Sequence, residues 1–475
     1  IIVFSSVFIN FYFSCPKISS MFKYKLLGIF IFNGGINAFG GTFVSVLKEG
    51  QTEITAGTYS YNNGELVVGG LDAVGTNSEL KISNAGALTN MSWLSIGRGN
   101  GTGATSSNVS LYDTSSISAA NMSAGFNGGN AATAPKSVIS LNNSSSLNIG
   151  SGGGFFVAES PGSHVTMNLS GSSAVTINGN GTAINRSIGH LGTGILNVSG
   201  SANFTDQSNL ALNIGFQGGV GEVNINGATA QFNHPNGEVR VGAANANGAF
   251  TGGSGTITVT EGNAVVGALI LARGNNNAAQ INGTVNVNGG TFTSTGDVVL
   301  GFAGAGNVGR LNVNGGTFNV GTTASKWLQV GSYDTAIAEV VIGSGNLNLN
   351  TNSAIKMSRQ NGTGAHTFTM NGGNVTYFSD NATTVGGTGD LDLQYVGAAT
   401  TNNTFHLNGG VLTVPKIITT TDSGTVALNL NGGTIKATNN EANFLTLGGA
   451  NQKVYVKSGG AVIDTNGYDI TIAEG

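Results

Sequence analysis

Apolar and polar residues alternate in short bursts along this chain, and the bursts recur. Thr284–Phe292 reads TVNVNGGTF, Arg310–Phe318 reads RLNVNGGTF, Ala427–Ile435 reads ALNLNGGTI and Thr404–Leu412 reads TFHLNGGVL. In Val285-Asn286-Val287-Asn288 the valines fall on one side and the asparagines on the other, the period of a strand with one buried face. Two glycines follow and predict a corner, because Gly takes positive φ without a Cβ clash. A second apolar run comes next, such as Thr291-Phe292-Thr293. A third closes the unit: Leu212-Asn213-Ile214-Gly215, Val298-Val299-Leu300-Gly301, Leu328-Gln329-Val330-Gly331 and Leu445-Thr446-Leu447-Gly448.

One apolar residue in each first strand serves as an anchor: Ile82, Leu111, Leu141, Met167, Val198, Ile225, Val259, Val287, Val313, Ile342, Met370, Leu407, Leu430 and Val456. The series spans 374 residues over 13 intervals, about 29 residues per repeat, within the range of stacked repeat architectures. A propeller blade needs roughly 40–50 residues and four strands, and a leucine-rich repeat would show L-x-x-L-x-L. Neither pattern fits. Three short strands and three turns per unit describe one coil of a solenoid. The expected fold class is all-β, a right-handed parallel β-helix (β-solenoid) of about 14 three-strand coils, the superfold of the pectate lyases.

Composition sharpens this picture. The 78 Gly would suit a disordered chain, but regularly spaced Val, Ile, Leu and Phe supply a core throughout. Only 5 Pro leaves strand N–H groups free to pair with the coils above and below. The abundant Asn tolerates left-handed turns and can stack its amides between coils.

The first residue is Ile1, and Met21 is the expected start. Lys23 and Lys25 precede the apolar run Leu26–Phe32, and small and polar residues lead to Ala38, the layout of a secretory signal peptide. The run is too short for a membrane span. Residues 1–38 are therefore expected to be upstream sequence and leader. Residues 39–79 repeat poorly and are the expected N-terminal cap or atypical first coils, and 80–475 are β-helix repeats. Asp469–Gly475 stops within a repeat, so a truncated C-terminus is expected. Cys15, the only cysteine, would leave with the leader, which excludes disulfides and thiol chemistry from the mature chain. Loss of Lys17, Lys23 and Lys25 leaves 15 basic against 22 acidic residues, and no basic stripe to hold nucleic acid.

The unit Gly309–Phe318, GRLNVNGGTF, followed by Leu328-Gln329-Val330-Gly331, resembles the β-helix repeats of bacterial autotransporter passengers. It also resembles the autotransporter-associated β-strand repeat proteins that carry PEP-CTERM sorting tails. The resemblance covers roughly residues 60–475. It implies a secreted or outer-membrane-associated surface protein of a bacterium. An outer-membrane barrel or sorting helix is expected in a missing C-terminal segment.

Enzymes on this superfold use clustered acidic residues with a Lys or Arg. The densest acidic spot here is Asp390-Leu391-Asp392, and strand alternation directs both carboxylates outward. Lys356 holds the register of Asp392 one coil earlier, within expected ion-pair reach. The three are the candidate catalytic residues. Their bland alternative is a solvated interstrand pair on a sheet face. Two carboxylates are too few for a calcium cage, and no metal or cofactor is expected. The five histidines share no motif and read as structural. Trp93 and Trp327 precede the third strand in one register, as does Phe444, and that register should point outward or sit at a corner. Trp93, Trp327 and Tyr395 are the candidate ligand-binding residues, because exposed aromatics stack on sugars or anchor partners. The expected function is structural or adhesive display, with glycans or cell-surface proteins as partners. A polysaccharide lyase or glycoside hydrolase, and an inert spacer, are the alternatives.

Overall fold

The computed structural model describes residues 46–47, 50–69, 78–98, 106–126, 136–150, 152–179, 186–244, 252–274, 280–359, 363–379, 384–386 and 388–473. The expected leader, the start at Met21 and Cys15 lie outside them. Among the described residues there is no helix, and every strand pairing in the two sheets is parallel. The molecule is a β-solenoid. Its first face is a sheet of fifteen strands among the described residues, one per coil, running from Gly50–Ile54 to Gln452–Val456. The second and third faces join into one sheet. In several coils, such as Gln231–Ala243 and Asn263–Arg273, one strand runs through the corner between them.

The strand register corrects one anchor and adds another. Leu169, not Met167, pairs with Leu141 and Val198, so Met167 stands one pleat off the column. Ile54 pairs with Ile82 and opens the column one coil earlier. The stretch expected to be a cap or atypical coils thus already carries ladder strands. Its longest strand, Thr58–Val68, shifts register near Gly64 and has positive φ at Asn62 and Asn63.

Alternation settles which side chains face inward. Val285 and Val287 are fully buried, while Asn286 between them is half-exposed. The inward residues form one continuous core, in which like stacks on like from coil to coil. Phe292 and Phe318 are parallel at 5.1 Å, Phe204 and Phe232 at 5.2 Å, and Phe368 and Phe405 at 4.8 Å. Outside, the expected amide ladders are present. Asn197 donates to Asn168 at 2.8 Å and Asn224 donates to Asn197 at 3.0 Å. Asn312 donates to Asn286 at 2.8 Å, and Asn348 to Asn319 at 2.9 Å. Each amide can both donate and accept, so the ladder extends without leaving a polar atom unpaired.

Glycine is required where corners stack. At Gly316, φ is +57°, and a Cβ there would lie 2.6 Å from the carbonyl oxygen of Gly290. The corner after the third strand also needs positive φ. It is usually Gly, but Ala158, Ala272 and Ser358 hold it at φ +60°, +59° and +56°. Left-handed geometry is costly for a residue with a Cβ, and the hydrogen bonds of both flanking strands hold it there.

Two substitutions separate the core from the outer ladder. Phe318→Ala removes a fully buried ring from a stack and should cost about 3–5 kcal/mol. Asn312→Ala removes one half-exposed amide bond and should cost about 1 kcal/mol. Urea denaturation followed by circular dichroism measures both.

Candidate functional site

The three faces differ in what they show to solvent. The first two present mainly Asn, Thr and Ser, while the third presents aromatic and charged side chains. One position accounts for most of this, the residue that follows the left-handed corner closing the third strand. Coil by coil it is Arg98, Phe126, Glu159, His190, Phe216, Ala243, Arg273, Phe302, Ser332 and Arg359. The strand ends at or just before this position, and the side chains there run from fully buried, as at Phe216 and Ala243, to half-exposed, as at Arg273 and Arg359.

These side chains touch. Arg98 lies over the ring of Phe126 at 5.9 Å. His190 meets Phe156 edge-on at 5.4 Å and Phe216 at 5.2 Å. Arg273 lies over Phe302 at 5.5 Å, and Phe302 meets Tyr333 at 4.9 Å. Arg359 lies over Trp327 at 4.6 Å, and Trp327 meets Tyr395 edge-on at 5.5 Å. The result is a stripe of aromatic and cationic groups parallel to the rod axis.

Five of the six residues expected to form sites gather at one place on the stripe. Trp327 and Tyr395 are half-buried against each other. The Lys356 ammonium sits 4.7 Å above the Tyr395 ring, 2.5 Å from Asp390 Oδ1 and 3.7 Å from Asp392 Oδ2. Lys356 pairs in register with Asp392, as expected. The solvated pair anticipated on an open face is not what forms. Asp392 points away from the core side of its strand yet is completely buried. Its Oδ1 accepts from the backbone N–H groups of Gln394 at 3.0 Å and Thr420 at 3.2 Å, and its Oδ2 accepts from the Thr420 hydroxyl. Burial pushes its pKa up, and Thr420 and Lys356 pull it back. A carboxylate so enclosed fixes Lys356 and has no side open to a substrate.

Trp93 lies apart, near the start of the rod. It helps line a cleft of about 380 Å³ with Glu65, Ser95, Arg98, Ser123, Phe126 and Glu159. Arg98 pairs with Glu65 at 2.5 Å, and Ser95 donates to the same oxygen at 2.6 Å. Burial raises the Glu159 carboxyl, against the hydroxyl of Ser123 and the charge of Arg98. Phe444 shares the register of the two tryptophans, since its successor Leu445 pairs with Ile417, but it is buried in the core rather than outward or at an open corner.

A second cleft, of about 210 Å³, lies mid-rod. Ala268, Ile270, Val299 and Gln329 line it together with Phe302, Tyr333, Glu238, Asp297, Ser332 and Arg359. It opens where the stripe position carries only the small Ser332. The sequence motif L-x-V-G stops one residue short of this position. Aligning the repeats on that glycine and reading one residue further would have found Arg98 and Phe302, but Arg273 and Arg359 follow Ala272 and Ser358, which stand in the glycine's place.

Two buried polar groups serve the scaffold. Arg186, Asp206 and His234 are all fully buried and bonded to one another or to backbone carbonyls; Arg186 Nε donates to Gly153 O at 2.7 Å. His366 is buried with both ring nitrogens unbonded, in a column that holds Gly309 and Ala338 on the preceding coils. Among the described residues no group of three or more His, Cys, Asp or Glu could hold a metal ion.

No family model, curated protein or solved structure matches the chain.

Both buried charge sites predict pH effects on stability. Lys356→Met strands the buried Asp392 and should cost about 3–5 kcal/mol at pH 7. Protonation of Asp392, whose pKa burial raises, should shrink that gap in acid. Denaturation midpoints of parent and variant at pH 7 and pH 4 measure it. Burial pushes His366 down to about 4 from the ordinary 6.5. The unfolded chain then takes up this proton first, so the contribution is complete above 6.5 and is lost as the pH falls towards 4. His366→Asn should flatten the midpoint-versus-pH curve over that window. His190, also held at about 4 by burial, adds a slope of the same sign.

Proposed function

We propose that the chain is a secreted bacterial surface rod of structural or adhesive type, and that the stripe on its third face binds extended glycans. The single observation that carries the binding role is the series of clusters of ring and guanidinium contacts spaced along the third face between Arg98 and Tyr395. Sugars offer apolar C–H faces to rings and hydroxyls to charged and amide groups. Coils stack roughly 4.8 Å apart, a spacing comparable to one pyranose residue, so a polysaccharide lying along the rod meets equivalent side chains repeatedly. Weak contacts then add by multivalency. Export and envelope display rest on the leader pattern of Met21–Ala38 and on the resemblance of the repeats to autotransporter passengers and PEP-CTERM-type proteins. Cell-surface proteins remain a second class of partner for the same stripe.

Catalysis is the weaker reading. Lys356 is held by both Asp390 and Asp392, and Asp392 is enclosed.

The test is binding of the full chain to an array of labelled oligosaccharides. Trp327→Ala should weaken the bound glycans by about tenfold or more while moving the thermal midpoint little, since the ring is only half-buried. Binding of no glycan by the parent would overturn the glycan reading and leave a protein partner or an inert spacer. Shortened oligosaccharides in the recovered ligand would instead establish cleavage.

A further inference from the structure

Building on that glycan-binding reading, we propose that the rod takes a polysaccharide carrying free amino groups, and that the cleft beside Trp93 seats one amino sugar, its ammonium against Glu159 and its ring against the indole of Trp93. The recognised chemistry is a primary ammonium carried on a pyranose.

The cleft is shaped by a gap in one column of side chains. Its floor is Ser95 and Ser123, which hold the register position that Val67 and Phe156 fill on the flanking coils. Trp93 stands on one side of the gap, in the column of Glu65 and Asn121. Arg98, Phe126 and Glu159 stand on the other, at the corner position. Arg98 reaches across one end to Glu65 at 2.5 Å. The volume, about 380 Å³, lies in the range of small-ligand sites. The ring of Trp327 already meets Arg359 and Tyr395. Trp93 has no ring or cation contact among the described residues, so its indole is left for a ligand.

Charge and hydrogen bonding both favour a cation. Glu65 and Glu159 line the cleft against the single guanidinium of Arg98. Arg98 is matched by Glu65, and Glu159 has no ion-pair partner among the described residues. The neighbouring groups do not make up the difference. His190, at the corner position of the next coil, is neutral near pH 7 because burial holds it at about 4. Arg186, on the same coil, faces the core and pairs with Asp206. Lys81 and Lys136 belong to the first face. Burial raises the Glu159 carboxyl more than Ser123 and Arg98 lower it, and a bound ammonium would relieve that cost. Ser95 donates its hydroxyl to Glu65 at 2.6 Å, and Ser123 donates to Glu159. Each serine thus keeps only acceptor capacity for the cleft. An ammonium brings three donors to such a floor, and the indole offers its face to the sugar's C–H groups and to the adjoining charge. An acetylated amine brings one donor and a carbonyl oxygen that the serines cannot serve.

Binding of the full chain to three oligosaccharides of equal length tests this: an oligoglucosamine, its N-acetylated counterpart and a neutral glucan, in mildly acidic buffer at low and at physiological salt. The expected result is a preference of about tenfold or more for the oligoglucosamine, weakening with salt. Glu159→Gln should lower oligoglucosamine affinity about tenfold and leave the other two ligands unchanged. Trp93→Ala should weaken all three, and Trp93→Phe, which keeps a ring, should recover part of the loss. Unchanged thermal midpoints confirm folding. Equal binding of the three ligands, insensitive to Glu159→Gln, would overturn the amine assignment and leave glycan binding standing. An amine preference that survives Glu159→Gln would overturn the assignment to this cleft. Failure of all three ligands would remove both readings. Oligolysine bound as tightly as the oligoglucosamine, with the same dependence on Glu159, would reduce the cleft to a general cation seat and sink the saccharide assignment.

Discussion

Each coil offers the next a row of N–H and C=O groups, and the next coil must meet that row in the same register. A shift of one residue would turn every buried Val and Leu outward and every Asn inward. The ladder therefore constrains the corners more tightly than the strands. A corner can lengthen into a loop, as the repeat intervals show, provided its two ends return to the ladder. It cannot change the point at which the strand resumes. That is why Gly316 cannot carry a side chain against Gly290, and why Ala158, Ala272 and Ser358 are held in left-handed geometry where glycine would be easier.

From the same constraint comes the stacking of like on like. In-register parallel strands put equivalent positions of successive coils next to one another, so a side chain's main neighbours are its own counterparts. Phenylalanines stack on phenylalanines inside, where ring overlap excludes water. Asparagines bond to asparagines outside, where each amide satisfies both of its neighbours. The chain needs few charges under this arrangement, because like charges would also stack, and repel. Where charges do occur they alternate in sign between coils, as Arg310 and Glu339 do at 2.7 Å, or collect at the corner position of the third face.

Whatever depends on period was legible in the sequence. Alternation in Val285–Asn288 and the paired glycines after it announce the strand and its corner, and the interval between copies announces the solenoid. Legibility ended where two periods gave the same local pattern. Met167 and Leu169 both stand on the buried side of one strand, and only the partner coils choose Leu169 as the anchor. Exposure was the second limit. Alternation gives the side of the sheet on which Asp392 lies, but Lys356 and Thr420 cover it, and cover comes from other coils. The same holds for Phe444, whose register matches Trp327 and whose burial does not. Arg359 was overlooked because it belongs to no strand pattern. It stands one residue after a serine that replaces the usual corner glycine, so neither the motif nor the alternation reached it.

The corner position also explains why binding chemistry would gather on one face. Along a strand, an outward side chain is flanked above and below by its counterparts and is largely committed to them, as the amide ladders show. At the third corner the strand is ending: Phe216, Ala243, Arg273 and Phe302 still pair in register, while Arg98, Phe126, Glu159, His190, Ser332 and Arg359 lie just beyond the last strand residue. Arginine and aromatic residues can vary there from coil to coil without disturbing register, and the sequence does vary there: Arg98, Phe126, Glu159, His190, Phe216. A scaffold that fixes every other position leaves this line free to change. A line of replaceable side chains at regular spacing along a stiff rod suits recognition of a polymer, because each coil can adjust its own contact while the neighbouring contacts keep their place.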